Sequence, residues 1–108
     1  MKKIVILNSA VMPQDGHYIK KTISKNQFID IVTNAEDIKS SIGYQAVSDI
    51  VYKLTNKKIE VNRDITIIPD DYHIVGLTLD HRINPEDKGF KNPNEDDYVY
   101  FIAHYANI

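Results

Sequence analysis

The chain has 108 residues, 13 basic and 15 acidic side chains for a formal charge of −2, and no cysteine. That length makes a single domain, residues 1–108, with a core of its own. The absence of cysteine excludes disulfides, thiolate metal sites and cysteine nucleophiles, and the charge does not indicate binding of long nucleic acid, which needs a strongly basic face. A small anion held in a local pocket stays open. Met1-Lys2-Lys3 ahead of Ile4–Leu7 has the outline of a signal peptide, but the apolar run is too short for one or for a membrane span. A soluble, cytoplasmic protein without membrane contact is expected.

In chain order, Ile4-Val5-Ile6-Leu7 is a continuous β-branched run that predicts a central buried strand. Asn8 follows it, where α/β folds place ligand-binding groups and where turn residues are equally at home. Pro13, Asp15 and Gly16 mark a loop, and Tyr18 to Ile23 alternates as a short strand. Ser24-Lys25-Asn26-Gln27 has the form of a capping box. It opens a short helix with Phe28, Ile31 and Val32 on its apolar face, ended by Thr33-Asn34. Asp37 to Ile42 reads either as loop or as edge strand.

Val47, Ile50, Val51 and Leu54 recur at the spacing of one buried helical stripe. Ser40 and Ser41 are available as caps upstream, and Gly43 lets backbone or a ligand come close. Asn56 suits a left-handed stop. The start of such a helix suits anions, although the pattern alone describes any amphipathic helix.

Lys57-Lys58 reads as a solvated pair. Ile65 and Ile67 have strand spacing, and Pro69-Asp70-Asp71 is a turn signal. The turn predicts a hairpin between that strand and the next, Tyr72 to Leu79. In the latter His73, Val75, Leu77 and Leu79 face one way and Ile74 and Thr78 the other. Asn92 to Asp97 is a loop by composition, and Tyr98 to His104 alternates as a final strand. The expected fold is α/β, a single mixed β-sheet of about five strands with two main helices.

No glycine-rich nucleotide loop is present, and His17, His73, His81 and His104 are too scattered for a zinc site. Ser40-Ser41 lacks the frame of a serine hydrolase. Neither metal nor cofactor is expected. The only arginines, Arg63 and Arg82, stand against eleven lysines. Each is a candidate for bidentate phosphate or carboxylate binding, and each is equally suited to a surface ion pair. Asn8, Asn62, Arg63, Arg82 and the Gly43-Tyr44 helix start form the candidate cluster.

Leu7-Asn8-Ser9, Ser41-Ile42-Gly43, the helix ending in Leu54, Ile59 to Arg63, the Pro69 to Tyr72 turn and the Arg82…Glu86 pair occur in that order. Together they resemble the viral ring nucleases that act as type III anti-CRISPR proteins, and their relatives on bacterial mobile elements. The resemblance implies a small α/β homodimer that binds cyclic tetra-adenylate across its two-fold axis. It also implies metal-free cleavage, in which a ribose 2′-hydroxyl attacks the adjacent phosphate and a histidine protonates the departing 5′-oxygen. By matching position, Asn8, Arg63 and Arg82 contact ligand, Arg82 steadies charge on the phosphate, and Glu86 orients Arg82. Asn8, Gly43, Arg63, Thr78 and Arg82 are the ligand-binding candidates, and Tyr44, Arg82 and Glu86 the catalytic ones.

The chain departs from that pattern at the proton donor: the family's Ile-Gly-His is Ile42-Gly43-Tyr44 here. An imidazole exchanges protons near neutral pH and a phenol does not. Losing a well-matched general acid costs about 10²–10⁴-fold in rate. Ala46 and Val47 replace two small hydroxyl residues, Arg82 and Glu86 are one residue further apart than usual, and Lys88 to Asp97 is polar and carries Pro93. The leading expectation is a homodimer that captures a cyclic oligoadenylate or related nucleotide signal and blunts host antiviral signalling. The alternatives are a slow ring nuclease using His81 or His17, and an interaction module using Tyr98, Tyr100 and Tyr105.

Overall fold

The computed structural model describes residues 2–8, 17–63, 68–69, 71–80 and 95–105. Its strands are β1 (Lys3–Leu7), β2 (Tyr18–Ile23), β3 (Asp37–Ser41), β4 (His73–Leu79) and β5 (Tyr98–Tyr105), and its helices α1 (Lys25–Asn34) and α2 (Gln45–Thr55). The strands form one mixed sheet in the order β2-β5-β4-β1-β3. β1 runs parallel to both β3 and β4, and β5 is antiparallel to β4 and β2. The β-branched run predicts this interior place: Ile4 and Ile6 point to one face, Val5 and Leu7 to the other, and all four are buried.

The first face carries both helices. Ile4, Ile6, Val75, Leu77 and Tyr100 from the sheet meet Phe28 and Val32 of α1 and Val47, Ile50 and Val51 of α2. The Phe28 and Tyr100 rings pack with centroids 4.8 Å apart. On the second face Val5, Leu7, Ile74, Phe101 and Ala103 form a smaller cluster, joined by Tyr18, Ile68 and Tyr72. The alternation read from Tyr72 to Leu79 and from Tyr98 to His104 divides the two clusters as expected.

Local signals hold at the helix ends. Ser24 Oγ accepts from Gln27 N at 3.1 Å and Gln27 Oε1 accepts from Ser24 N at 2.9 Å, a complete capping box. Asn56 ends α2 in the left-handed region with φ 59°. Asp37 to Ser41 resolves as an edge strand.

Three expectations need correction. Ser40 and Ser41 do not cap α2: both belong to β3, and Tyr44 is the N-cap. The turn before β4 exists, with Tyr72 N donating to Pro69 O at 3.0 Å, but the strands paired with β4 are not the hairpin neighbour that the turn predicted. Both sides of β4 are occupied, by β1 and β5. Tyr98 and Tyr100 do not form an exposed tyrosine surface, since Tyr100 is buried and Tyr98 packs against the first core cluster. The expected loop at Pro13 to Gly16, the strand at Ile65 and Ile67, His81, Arg82, Glu86, and the Tyr105 side chain lie outside what is described. Most of the Lys88 to Asp97 segment does too, and its end is a single 3-10 turn over Glu95–Asp97.

Candidate functional site

At the C-terminal ends of β1 and β3, Asn8, Ser41, Gly43, Tyr44, Asn62 and Arg63 line a cavity of about 330 Å³. Parallel strands end here side by side, so the residues just past them converge. Gly43 N donates to Asn8 Oδ1 at 3.3 Å, which turns the Asn8 amide nitrogen away from Gly43. Arg63 Nε donates to Gly43 O at 2.8 Å. That bond fixes the guanidinium by its stem side and leaves its terminal nitrogens for an anion. Among the described residues no carboxylate pairs with Arg63. A Cβ at Gly43 would stand 3.6 Å from Arg63 Cγ, an ordinary contact. The chain's own packing therefore does not require glycine there.

Arg63 is placed by backbone stitching. Asn62 N donates to Ile42 O at 2.8 Å and Asn62 Nδ2 to Ser40 O at 2.9 Å, while Ser40 Oγ donates to Glu60 O. The run from Ile59 to Arg63 thus lies along the outer edge of β3. From the other side, buried Ser48 of α2 donates its hydroxyl to Ile59 O. A second cavity, about 430 Å³, opens across this run between Ile38, Ser40, Lys57, Lys58, Ile59, Glu60 and Asn62.

The start of α2 is electrostatically open. No side chain caps it, and its first turn holds no acidic residue. Uncapped N–H groups and the helix dipole make this end favourable for negative charge. Asp49, one turn on, accepts from Gln45 Nε2 at 2.8 Å.

A model of the STIV B116-like family matches residues 4–96. The chain belongs to that family. Its structure is similar to that of B116 of Sulfolobus turreted icosahedral virus, with a TM-score of 0.66 at 9% sequence identity. The match covers 95% of this chain and 99% of that one. At that identity the likeness is one of fold. No curated protein matches the chain in sequence.

In this STIV B116-like chain, Asn8, Gly43, Tyr44, Asn62 and Arg63 come together as the sequence suggested. Thr78 does not line the cavity; it lies in β4, across from Val99 of β5. Arg82 and Glu86 fall outside the described residues. Ser48 was missed as a positioning residue. Its signal was a hydroxyl set inside the apolar stripe of α2, between Val47 and Ile50. Ser41, expected as a cap, lines the cavity instead. Among the described residues no group of three or more histidine, aspartate or glutamate side chains is placed to hold a metal, and no helix is long and apolar enough to cross a membrane.

Proposed function

We propose that this protein binds a cyclic oligoadenylate, of the cyclic tetra-adenylate kind, and holds it rather than turning it over. The observation that carries the reading is the Arg63 guanidinium, pinned to Gly43 O beside the uncapped start of α2. Two positive elements are then neighbours: a side chain in the cavity wall shaped for phosphate oxygens, and the helix that starts directly after Tyr44 of the same wall. Asn8 lines the same cavity, and with its Oδ1 accepting from Gly43 N its amide nitrogen is left to donate. The cavity volume is at the small end for small-molecule sites. It suits part of a four-nucleotide ring, so the reading includes a homodimer that shares the ring across a two-fold axis.

Sequestration is favoured over cleavage because Tyr44 stands where the resemblance places the proton donor. In the cell such a protein withdraws a nucleotide signal in the host cytoplasm and so counters antiviral signalling. Slow cleavage, with His81 or His17 as the proton donor, is the second reading. Titration with cyclic oligoadenylates of different ring sizes, followed by chromatography of the mixture after hours, separates the two. Tight binding with intact ring supports capture; linear products support the nuclease. No binding by any ring removes the proposal. Light scattering at micromolar concentration is expected to return a dimer.

A further inference from the structure

We infer that Tyr44 is a stacking platform for a purine base, with Arg63 against one side of its ring and the ligand on the other. This rests on the nucleotide reading above and deepens it.

Three observations meet at this residue. First, Tyr44 is the N-cap of α2, in extended backbone with φ −130° and ψ 132°, and its side chain makes no capping hydrogen bond. Ser, Thr, Asp or Asn would serve that position better, so the local requirement of the helix does not explain a tyrosine. Second, Tyr44 is not part of either core: it is 62% exposed, more than any other large hydrophobic side chain among the described residues. Third, it is not loose on the surface. Arg63 Cζ lies 5.8 Å from the ring centroid, and Arg63 is itself tethered through Nε to Gly43 O, 2.8 Å away. Tyr44 lines the cavity together with Arg63, and among the described residues this cation is the ring's one aromatic contact, so a ring this exposed keeps a face for a ligand.

A planar base fits that surface. Every base has a π-face, and stacking on an aromatic side chain contributes to affinity without hydrogen-bond readout. The larger face of a purine covers more of the ring than a pyrimidine does. The same guanidinium that backs the ring keeps its terminal nitrogens for the adjoining phosphate, so base and phosphate of one nucleotide are held by neighbouring groups. Substituting tyrosine for an imidazole at this point therefore exchanges a proton donor for a base clamp.

The sequence contains no tryptophan, which makes Tyr44→Trp a single fluorescent reporter at the platform. Titrating Tyr44→Trp with cyclic tetra-adenylate should quench its emission in a saturable way. By calorimetry, Tyr44→Ala should bind that ligand about tenfold to a hundredfold more weakly than the unmodified protein, and Tyr44→Phe about as well as it. Competition by inorganic phosphate alone should be the same for Tyr44→Ala and the unmodified protein, because phosphate uses Arg63 and the helix start. Equal affinity of Tyr44→Ala and the unmodified protein overturns the platform while leaving nucleotide binding in place. So does a loss in Tyr44→Phe as large as in Tyr44→Ala, which would assign the effect to the hydroxyl. Absence of binding by the unmodified protein overturns the nucleotide reading and the platform together.

Discussion

The ring of Phe101 fills the space that a side chain on Gly76 would need. The two residues face each other across β4 and β5, and a Cβ on Gly76 would stand 2.4 Å from Phe101 Cζ and 2.8 Å from its Cε1. Leu7 O, from the neighbouring strand, would be 3.0 Å away. Lys20 Nζ closes over the same ring, 4.4 Å from its centroid. The second face of the sheet is therefore built around one aromatic ring laid against one bare backbone position. Gly76→Ala should destabilise the fold by about 1–3 kcal/mol. Urea unfolding should show a lower midpoint with an unchanged slope, and adding Phe101→Leu should recover part of the loss.

Gly43 is expected to behave in the opposite way. A Cβ there meets only an ordinary contact, so Gly43→Ala should leave stability unchanged or raise it by about 0.4–1 kcal/mol through the unfolded chain. The new methyl group would nevertheless occupy space beside the cavity. Thermal unfolding and ligand titration of the same variant should move apart, with a stable protein that binds cyclic tetra-adenylate more weakly.

Arg63→Lys keeps the charge and removes the fork. An ammonium cannot donate through Nε to Gly43 O and also present two parallel donors to a phosphate. The substitution should weaken ligand binding nearly as much as Arg63→Ala, by about 1.5–3 kcal/mol. Arg63 is exposed, so the unfolding midpoint should hardly change. Full affinity in Arg63→Lys would show that positive charge alone is what the site uses.

Acid should weaken the fold through Glu95. The Lys53 ammonium, with Nζ 2.9 Å from Oε2, holds its carboxyl below the ordinary value of 4.5. The folded chain thus binds fewer protons here than the unfolded chain as pH drops below that value. The stabilisation is present above the unfolded value and is lost as pH falls through the folded one. Asp71 moves in the same direction beside Lys3. Urea midpoints measured from neutral pH down to about pH 3 should decline, and the decline should be shallower in Lys53→Met.

Tyr44→His tests the position where the resemblance implies a proton donor. If the remaining groups hold the ring in line for attack, the substitution should yield slow cleavage of cyclic tetra-adenylate near neutral pH, measured as linear product. The partial positive charge of the helix start disfavours imidazolium, so the rate should rise toward mildly acidic pH only to a limited extent. Arg82→Ala in the same background should silence it. Tight binding by Tyr44→His without product would show a ligand held out of line.

What the sequence disclosed and what it withheld divide by the range of the interaction. The Ser24 capping box, the α2 stripe and the Asn56 stop depend on residues within a turn or two, and each is present where the pattern put it. The alternation of β4 and β5 is equally local. Which strand lies beside β4 is not: the Pro69 turn suggested its predecessor, whereas the apolar faces of β1 and β5 took both positions. At the site, Asn8, Gly43 and Arg63 were legible by residue type. The stitching that brings them together runs through backbone carbonyls of Ser40, Ile42, Ile59 and Glu60. Carbonyls are common to every residue, so no side-chain pattern announces them.

The run from Ile59 to Arg63 also governs how copies of the chain can associate. Fibres that grow strand by strand need two open edges on each sheet, one to receive and one to offer. Here Ser40 O and Ile42 O on the β3 side are already bonded within the chain, and β2, with Lys20 and Lys21 side by side, is the other end of the described sheet. Among the described residues part of the β3 edge is thus already taken, so the same stitch that holds Arg63 at its cavity should disfavour addition of another copy along that edge.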